Sequence, residues 1–424
     1  MLKKNKKVLA IYGGEKTRVS PMPARHAIGK YEKKAIYEVI EHYSKIGEDP
    51  PYDGLYQKKF ENNFSKKMGN GYSAAVCSGS VACYIGVKSL NLPKNSEVIV
   101  SPVTDSGSLF AIVESGLKPV VVDSMKDSFN TSWEYIKKGI TKKTSALFLV
   151  HCSGNPLEMF KIKKEAKKNG LKIIEDCSQA PFARVCQNKP CIKKSCIKMC
   201  NGKFVGSFGD VSVFSTMYRK SLQSGGSGGI VFTKDKQIYH NIIEMSDRGR
   251  PKWDKKHDPK NIGKVKYSAL NYNTDELSSA IGISSLRRID KLIQDRMKFM
   301  NLLSNKLGKL DSFVKCAKYF KGTSPFLLSI IINENLTEKK ELIAKAILAE
   351  GINLSIRYDC VISEWEISKK LKINIISDSN VKKMKSQSFN LFLNENYTVS
   401  EVNDIYAAFK KVADYFLNEK SNKI

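Results

Sequence analysis

Residues 214–232, FSTMYRKSLQSGGSGGIVF, set one lysine, Lys220, between a hydroxyl-rich run and a loop of glycine and serine. A phosphate-binding loop of the Walker type carries its lysine after the glycines, as G-x-x-x-x-G-K-[ST]. Here Lys220 precedes GGSGG, so the nucleoside-triphosphate reading fails. Glycines that follow a lysine let the backbone pass close to a cofactor held covalently on that lysine. The competing reading is a surface lysine ahead of a hairpin turn.

Three other segments bear on that choice. IIEDCSQA (173–180) ends an expected strand with Asp176, followed by Gln179. Open α/β sheets bind ligands at the carboxyl ends of their strands, and an aspartate there can keep a pyridine nitrogen protonated. Taken alone, it reads equally well as a helix cap. VCSGSVACYIGV (76–87) reads as a strand end, a Ser-Gly-Ser turn and a helix start. Ser78, Gly79 and Ser80 would aim N–H groups and hydroxyls at a phosphate, assisted by the helix dipole; an ordinary serine N-cap is the alternative. Ser215, five residues before Lys220, reaches toward the same phosphate. Lysine, aspartate and phosphate cradle are the minimum set for pyridoxal 5′-phosphate.

Around these segments the chain alternates. EVIVSP (97–102), PVVVD (119–123), ALFLVH (146–151) and KIIED (172–176) are continuous β-rich runs, as in strands buried on both faces. SVACYIGVKSL, SLFAIVESG and FKIKKEAKKNG between them have helical spacing. The expected fold class is α/β, a mostly parallel sheet flanked by helices. Residues 275–310 form a long amphipathic run, read as a helix pair or kinked helix bridging to a smaller C-terminal α+β domain with strands at 325–332 and 352–356 and a helix over 400–416. The resulting organisation is an N-terminal arm (1–30), a large cofactor domain (31–273) and the bridging helices with the small domain (274–424).

A chain of 424 residues accommodates two such domains, and 42% hydrophobic content is that of a globular enzyme. No run of eighteen apolar residues exists, which excludes a membrane-spanning helix. VLAIY near the start is too short for a secretory core. The net charge of +29 comes from scattered lysines with no nucleic-acid reading module, so it reads as a solvated surface and nucleic acid is not an expected partner. Ten cysteines without a secretion signal read as thiols in a reducing, cytoplasmic setting.

With these motifs in place, the chain resembles the DegT/StrS family of pyridoxal-phosphate-dependent sugar aminotransferases, of the aspartate-aminotransferase fold type I. The resemblance runs from GGEKTRVSPMP (13–23) and YDGLYQKKFENNFSKKMGNGYSAAVCSGS (52–80) through EVIVSPVTDSG (97–107), IIEDCSQA and GSFGDVSVFSTMYRKSLQSGGSGG (206–229) to LNYNTDELSSAIGISSLRRID (270–290). It implies that Lys220 is the Schiff-base lysine and Asp176 the pyridinium partner. Gln179 would meet the cofactor's phenolic side, while Gly79, Ser80 and Ser215 bind its phosphate. Asn271 would reach the phosphate of a neighbouring subunit, so the resemblance implies a homodimer with composite sites. The implied reaction moves an amino group from glutamate or glutamine to a keto sugar, nucleotide-linked, or a related keto cyclitol. Two alternatives are a pyridoxamine-dependent sugar dehydratase, in which histidine replaces that lysine, and a non-catalytic cofactor-binding regulator.

The chain departs from the family pattern in four places. Asp105 stands where an aromatic residue usually stacks on the cofactor; it is expected to contact the cofactor's edge or the substrate, or to cap a helix. Ser227 replaces the usual acidic residue of the glycine turn, and MYRK stands where a His/Tyr-Pro-Thr-Lys run is common. An insertion at 184–202 places Cys186, Cys191, Cys196 and Cys200 at C-x4-C-x4-C-x3-C, a set for zinc or a small iron–sulfur cluster or simply a thiol-bearing loop.

Overall fold

The computed structural model describes residues 8–185, 202–254, 256, 258, 263, 265 and 267–418. The four apolar runs become the middle of the main sheet. Its strands are β1 (Tyr72–Val76), β2 (Glu97–Val100), β3 (Lys118–Val121), β4 (Thr144–Val150) and β5 (Lys172–Asp176). A short hairpin of β6 (Arg184–Val185) and β7 (Lys203–Phe204) follows, then β8 (Val211–Ser215) and β9 (Gly229–Thr233). Spatial order is β1-β9-β8-β5-β4-β2-β3, closed at the far edge by a two-residue strand, Asn374–Ile375. All pairings from β8 to that edge are parallel, whereas β9 runs antiparallel to both β1 and β8.

Alternation along each strand feeds two cores. Ile99, Leu147, Leu149 and Ile173 face one layer, which also holds Phe60, Phe64, Phe214 and Phe232. Val98, Val100, Phe148 and Ile174 face the other. Helices α1 (Lys30–Ile46) and α2 (Leu55–Lys67) precede the sheet. α3 (Gly79–Lys88), α4 (Ser106–Val113), α5 (Trp133–Ile136), α6 (Met159–Lys168) and α7 (Lys236–Ser246) are interleaved with it.

The expected break in residues 275–310 is absent. α8 (Glu276–Leu307) is one helix of 32 residues, capped by Asp275, whose side chain accepts from Ser278 N. Gly282 does not interrupt it; a Cβ there would lie 2.5 Å from the Phe60 ring, so this glycine admits an aromatic neighbour at a helix crossing. Buried Glu276 accepts from Tyr56 N at 2.8 Å, Gln57 N at 2.7 Å and Tyr43 Oη at 2.7 Å. It thereby satisfies two of the orphan N–H groups of α2 with a negative charge where the helix dipole favours one.

The C-terminal half of α8 supplies Phe299, Met300, Leu303 and Leu307 to a second core. That core lies against a four-stranded antiparallel sheet containing β10 (Val314–Cys316), β11 (Leu327–Ile332) and β12 (Leu354–Ser355). α9 (Lys340–Ala349) belongs to the same unit. Next come α10 (Glu366–Lys370), the edge strand of the main sheet, now β13, and α11 (Ser379–Gln387). β14 (Ser388–Phe392) and α12 (Val399–Asn418) complete the small unit. The N-terminal arm packs here: Leu9 and Met22 enter the second core. Buried Glu350 accepts from Ala10 N at 2.8 Å and Thr17 N at 2.9 Å.

Glu61 on α2 carries a measurable consequence. Its Oε1 accepts from Ala75 N at 2.8 Å and Gln57 Nε2 at 3.1 Å, yet burial outweighs both bonds and pushes its pKa up to about 7 from 4.5. Between those values the folded chain binds more protons than the unfolded one. Stability therefore falls as pH rises through this window, by on the order of 2–3 kcal/mol. Glu61→Gln keeps the acceptor oxygen and removes the titration, so its urea-unfolding free energy should change less from pH 4.5 to 7 than the parent's. A slope equal to the parent's would rule out Glu61 as the source.

Candidate active site

The strands β2, β4, β5 and β8 are parallel and share one C-terminal edge, where the expected residues converge. Asp176 ends β5 and is buried. Its Oδ2 accepts from Ser108 Oγ at 3.0 Å and its Oδ1 from Ser178 N at 2.9 Å. Ser178 Oγ accepts from Ser215 N at 3.0 Å, which ties the end of β8 to the turn after β5.

Ser78 caps α3 by accepting from Val81 N, which leaves the N–H groups of Gly79 and Ser80 as free donors of the first turn. A Cβ on Gly79 would come within 2.6 Å of Ser215 Cβ, and one on Gly107 within 2.4 Å of Ser80 Oγ. Glycine at both positions therefore opens a concavity rimmed by Ser80, Ser215 and two helix N-termini, an anion site by construction. Thr104 adds a buried hydroxyl with no partner among the described residues.

Lys220 sits on a loop closed at its base. Thr216 N donates to Gly228 O and Ser224 N to Thr216 O, both at 2.8 Å, and the Thr216 and Ser224 hydroxyls are 2.6 Å apart. Gly228 has φ +153°, and a Cβ there would be 2.2 Å from Ser224 Oγ. Outside the loop, Arg25 of the arm donates to Tyr218 O and Ser221 O. Buried Arg296 of α8 donates to Ser221 Oγ at 3.0 Å and pairs with Glu395 at 2.8 Å. Burial lowers the pKa of Arg296 and Glu395 opposes that. The Lys220 ammonium lies 5.0 Å from the Phe326 ring centre. Its charge also reaches the Cys83 and Cys360 thiols, where it opposes the rise that burial causes, in Cys360 to about 11.

Gln179 is oriented by both ends of its amide. Oε1 accepts from Ser153 N at 2.7 Å and Nε2 donates to Tyr358 Oη at 3.3 Å, leaving one N–H to spare. Tyr358 lies 3.5 Å from Cys152 Sγ, and burial, then the neighbouring thiols, raise its pKa. Asp105 is exposed and caps α4, accepting from Gly107 N at 2.9 Å. Asn271 is exposed, and its Oδ1 accepts from Asn273 N and Nδ2. Its neighbours Tyr272 and Asn273 pair with Cys77 and Val76, just ahead of the Ser78 turn. Cys186, Cys191, Cys196 and Cys200 lie outside the described residues.

Sequence reasoning missed Ser108, Tyr358, Arg25 and Arg296, which come from distant segments. It also missed Ser178, although that residue lies inside the quoted IIEDCSQA motif. Another omission is the buried pair of His151 and Glu175, 3.1 Å apart. His151, Glu175 and Cys177 cluster tightly enough to suggest a metal. Glu175 is already saturated, however, accepting from Gly206, Phe208 and Gly209 N–H groups, while His151 Nδ1 accepts from Leu157 N.

These residues fit pyridoxal 5′-phosphate: a lysine on a loop closed by its own hydrogen bonds, a buried carboxylate at a strand end, a phosphate cradle that any Cβ would fill, and a buried hydroxyl with no partner among the described residues. Comparison with known proteins agrees. The family model described as DegT/DnrJ/EryC1/StrS aminotransferase family matches residues 36–410. The chain is 30% identical over 293 residues to GDP-perosamine synthase of Escherichia coli O157:H7, covering 68% of this chain and 72% of that one. It is 25% identical over 349 residues to a putative L-glutamine:3-amino-2,3-dideoxy-scyllo-inosose aminotransferase of Micromonospora echinospora, covering 81% and 78% respectively. The crystal structure of an aminotransferase from Psychrobacter cryohalolentis has a similar fold, with TM-score 0.80, 22% identity and coverage of 95% and 99%. From its motifs, its fold and its relatives, the chain belongs to the DegT/DnrJ/EryC1/StrS aminotransferase family, whose cofactor is pyridoxal 5′-phosphate.

Proposed function

We propose that this enzyme transfers an amino group from glutamate or glutamine to a nucleotide-linked keto sugar, in a cytoplasmic homodimer. The observation that supports the reading is that Asp176 lies beside the Gly79–Ser80–Ser215 cradle, while the Lys220 charge reaches the Cys83 thiol that also feels Asp176. Bound there, pyridoxal 5′-phosphate supplies an aldehyde that takes up amino groups and a ring that withdraws electrons. The Gly79 and Ser80 N–H groups and the Ser80 and Ser215 hydroxyls would hold its phosphate. Asp176 would keep the ring nitrogen protonated, and the spare Gln179 N–H would donate to the phenolic oxygen. Lys220 would tether the cofactor through its amine and, as the mobile base, would carry a proton. Asp105, exposed at the N-cap of α4, would meet the substrate. Lysine at position 220 favours transfer over the dehydration that the resemblance links to histidine there.

Asn271 faces outward, which suits a role at the cofactor phosphate of a second copy. That arrangement accounts for a polar residue of the LNYN motif remaining exposed in a single chain.

Lys220→Ala should fold with a melting temperature near the parent's and show no turnover. Borohydride should no longer fix the cofactor to the chain; in the parent, peptide mapping should find the adduct on Lys220. An adduct on another lysine would overturn the assignment. Asn271→Ala should retain the cofactor about tenfold less well, the loss of one to two hydrogen bonds to a charged group. Mixing it with Lys220→Ala should restore part of the activity, since one subunit pair then carries a complete site. No recovery after verified subunit exchange would indicate sites built from one chain.

A further inference from the structure

We infer that Ser108 is a positioning residue for the reaction: its hydroxyl, backed by the Cys83 thiol, aims the Asp176 carboxylate at the cofactor's ring nitrogen. The inference rests on the reading of Asp176 as the ring-nitrogen partner. Ser108 lies in the first turn of α4, Cys83 on α3 and Asp176 at the end of β5. All three are buried, at 2%, 4% and 5% exposure, so water does not compete for their contacts.

The direction of each bond follows from the donor inventory. In the 3.0 Å contact Ser108 Oγ donates to Asp176 Oδ2, which uses the single hydroxyl hydrogen. The 3.8 Å contact between Ser108 Oγ and Cys83 Sγ must then be donated by the thiol. Burial, with the nearby Asp176 charge, raises the Cys83 pKa well above its usual value, which keeps that hydrogen on sulfur. A one-way chain results: thiol to hydroxyl to carboxylate.

Ser178 N holds the other oxygen, Oδ1, at 2.9 Å. Anchored from α4 on one side and from the turn after β5 on the other, the carboxylate cannot swivel. Each oxygen still keeps a lone pair for the cofactor. Orientation of this kind governs rate more than binding, because a small angular error at a reacting group costs far more than a lost surface contact.

The test compares parent, Ser108→Ala, Ser108→Thr and Asp176→Asn, each loaded with pyridoxal 5′-phosphate. It reads the visible absorption band of the bound cofactor and the single-turnover rate with L-glutamate and with L-glutamine. Ser108→Ala should lower the maximal rate about tenfold or more, leave the half-saturating donor concentration within about twofold, and move the absorption band in the direction seen for Asp176→Asn. Ser108→Thr restores the hydroxyl and should return both rate and band toward the parent. A parent-like Ser108→Ala beside a collapsed Asp176→Asn would overturn the role of Ser108 alone. Parent-like behaviour in both would overturn the assignment of Asp176. Loss in Ser108→Ala with no rescue in Ser108→Thr, or with a change in donor saturation alone, would mark Ser108 as packing. The absorption arm decides the matter even where neither donor reacts.

Discussion

A buried carboxylate organises the reactive edge, and it is Glu175, the residue before Asp176. It accepts three backbone N–H bonds, from Gly206, Phe208 and Gly209, at 2.6–2.9 Å, and lies 3.1 Å from His151. Leaving the two fully buried N–H groups, those of Gly206 and Phe208, unpaired costs ~2–6 kcal/mol, a sizeable part of the ~5–15 kcal/mol that separates a folded domain from its unfolded chain. The knot fixes the ends of β4 and β5 and the entry into β8 relative to one another. Strand alternation does the rest: with Glu175 held in one core, Asp176 must point to the opposite face.

From that edge the constraints extend outward. The Lys220 loop is closed by its own hydroxyls, then gripped by Arg25 and Arg296, both paired with Glu395 near the end of β14. A buried ion pair of this kind adds little net stability over an apolar substitute, but removing one partner leaves the other charge stranded. Its value lies in geometry. Gly154 makes the matching contact from the other side: with φ +88° it passes 1.9 Å, at the position a Cβ would take, from Ser324 O. The small unit is thus part of the reactive site's wall.

The middle of the fold was legible because strands buried on both faces leave continuous apolar runs. EVIV, ALFLV and KIIED fall within β2, β4 and β5 with shifts of at most two residues. The run over 275–310, expected as a helix pair or a kinked helix, is one helix, and the glycine within it is accounted for only by the Phe60 ring, more than two hundred residues earlier. The motifs that carry Gly79, Asp176 and Ser215 were legible because each is local, and the structure sets them side by side. Ser108 and Tyr358 were not. A serine in the first turn of a helix is ordinary, and a tyrosine 179 residues from the glutamine it meets leaves no periodic trace.

The arm has a consequence for how the protein is made. Arg25 steadies the Lys220 loop, yet the arm that carries it is held by Glu350, Asn394, Asn396 and Lys411. Ribosomal synthesis proceeds from the N-terminus, so the arm must wait for partners more than three hundred residues later in the chain before it can dock. The main sheet can assemble while the chain is still being extended. The Lys220 loop therefore gains its Arg25 brace late, so a chain cut short before Glu350 would assemble its main sheet and still hold this loop loosely.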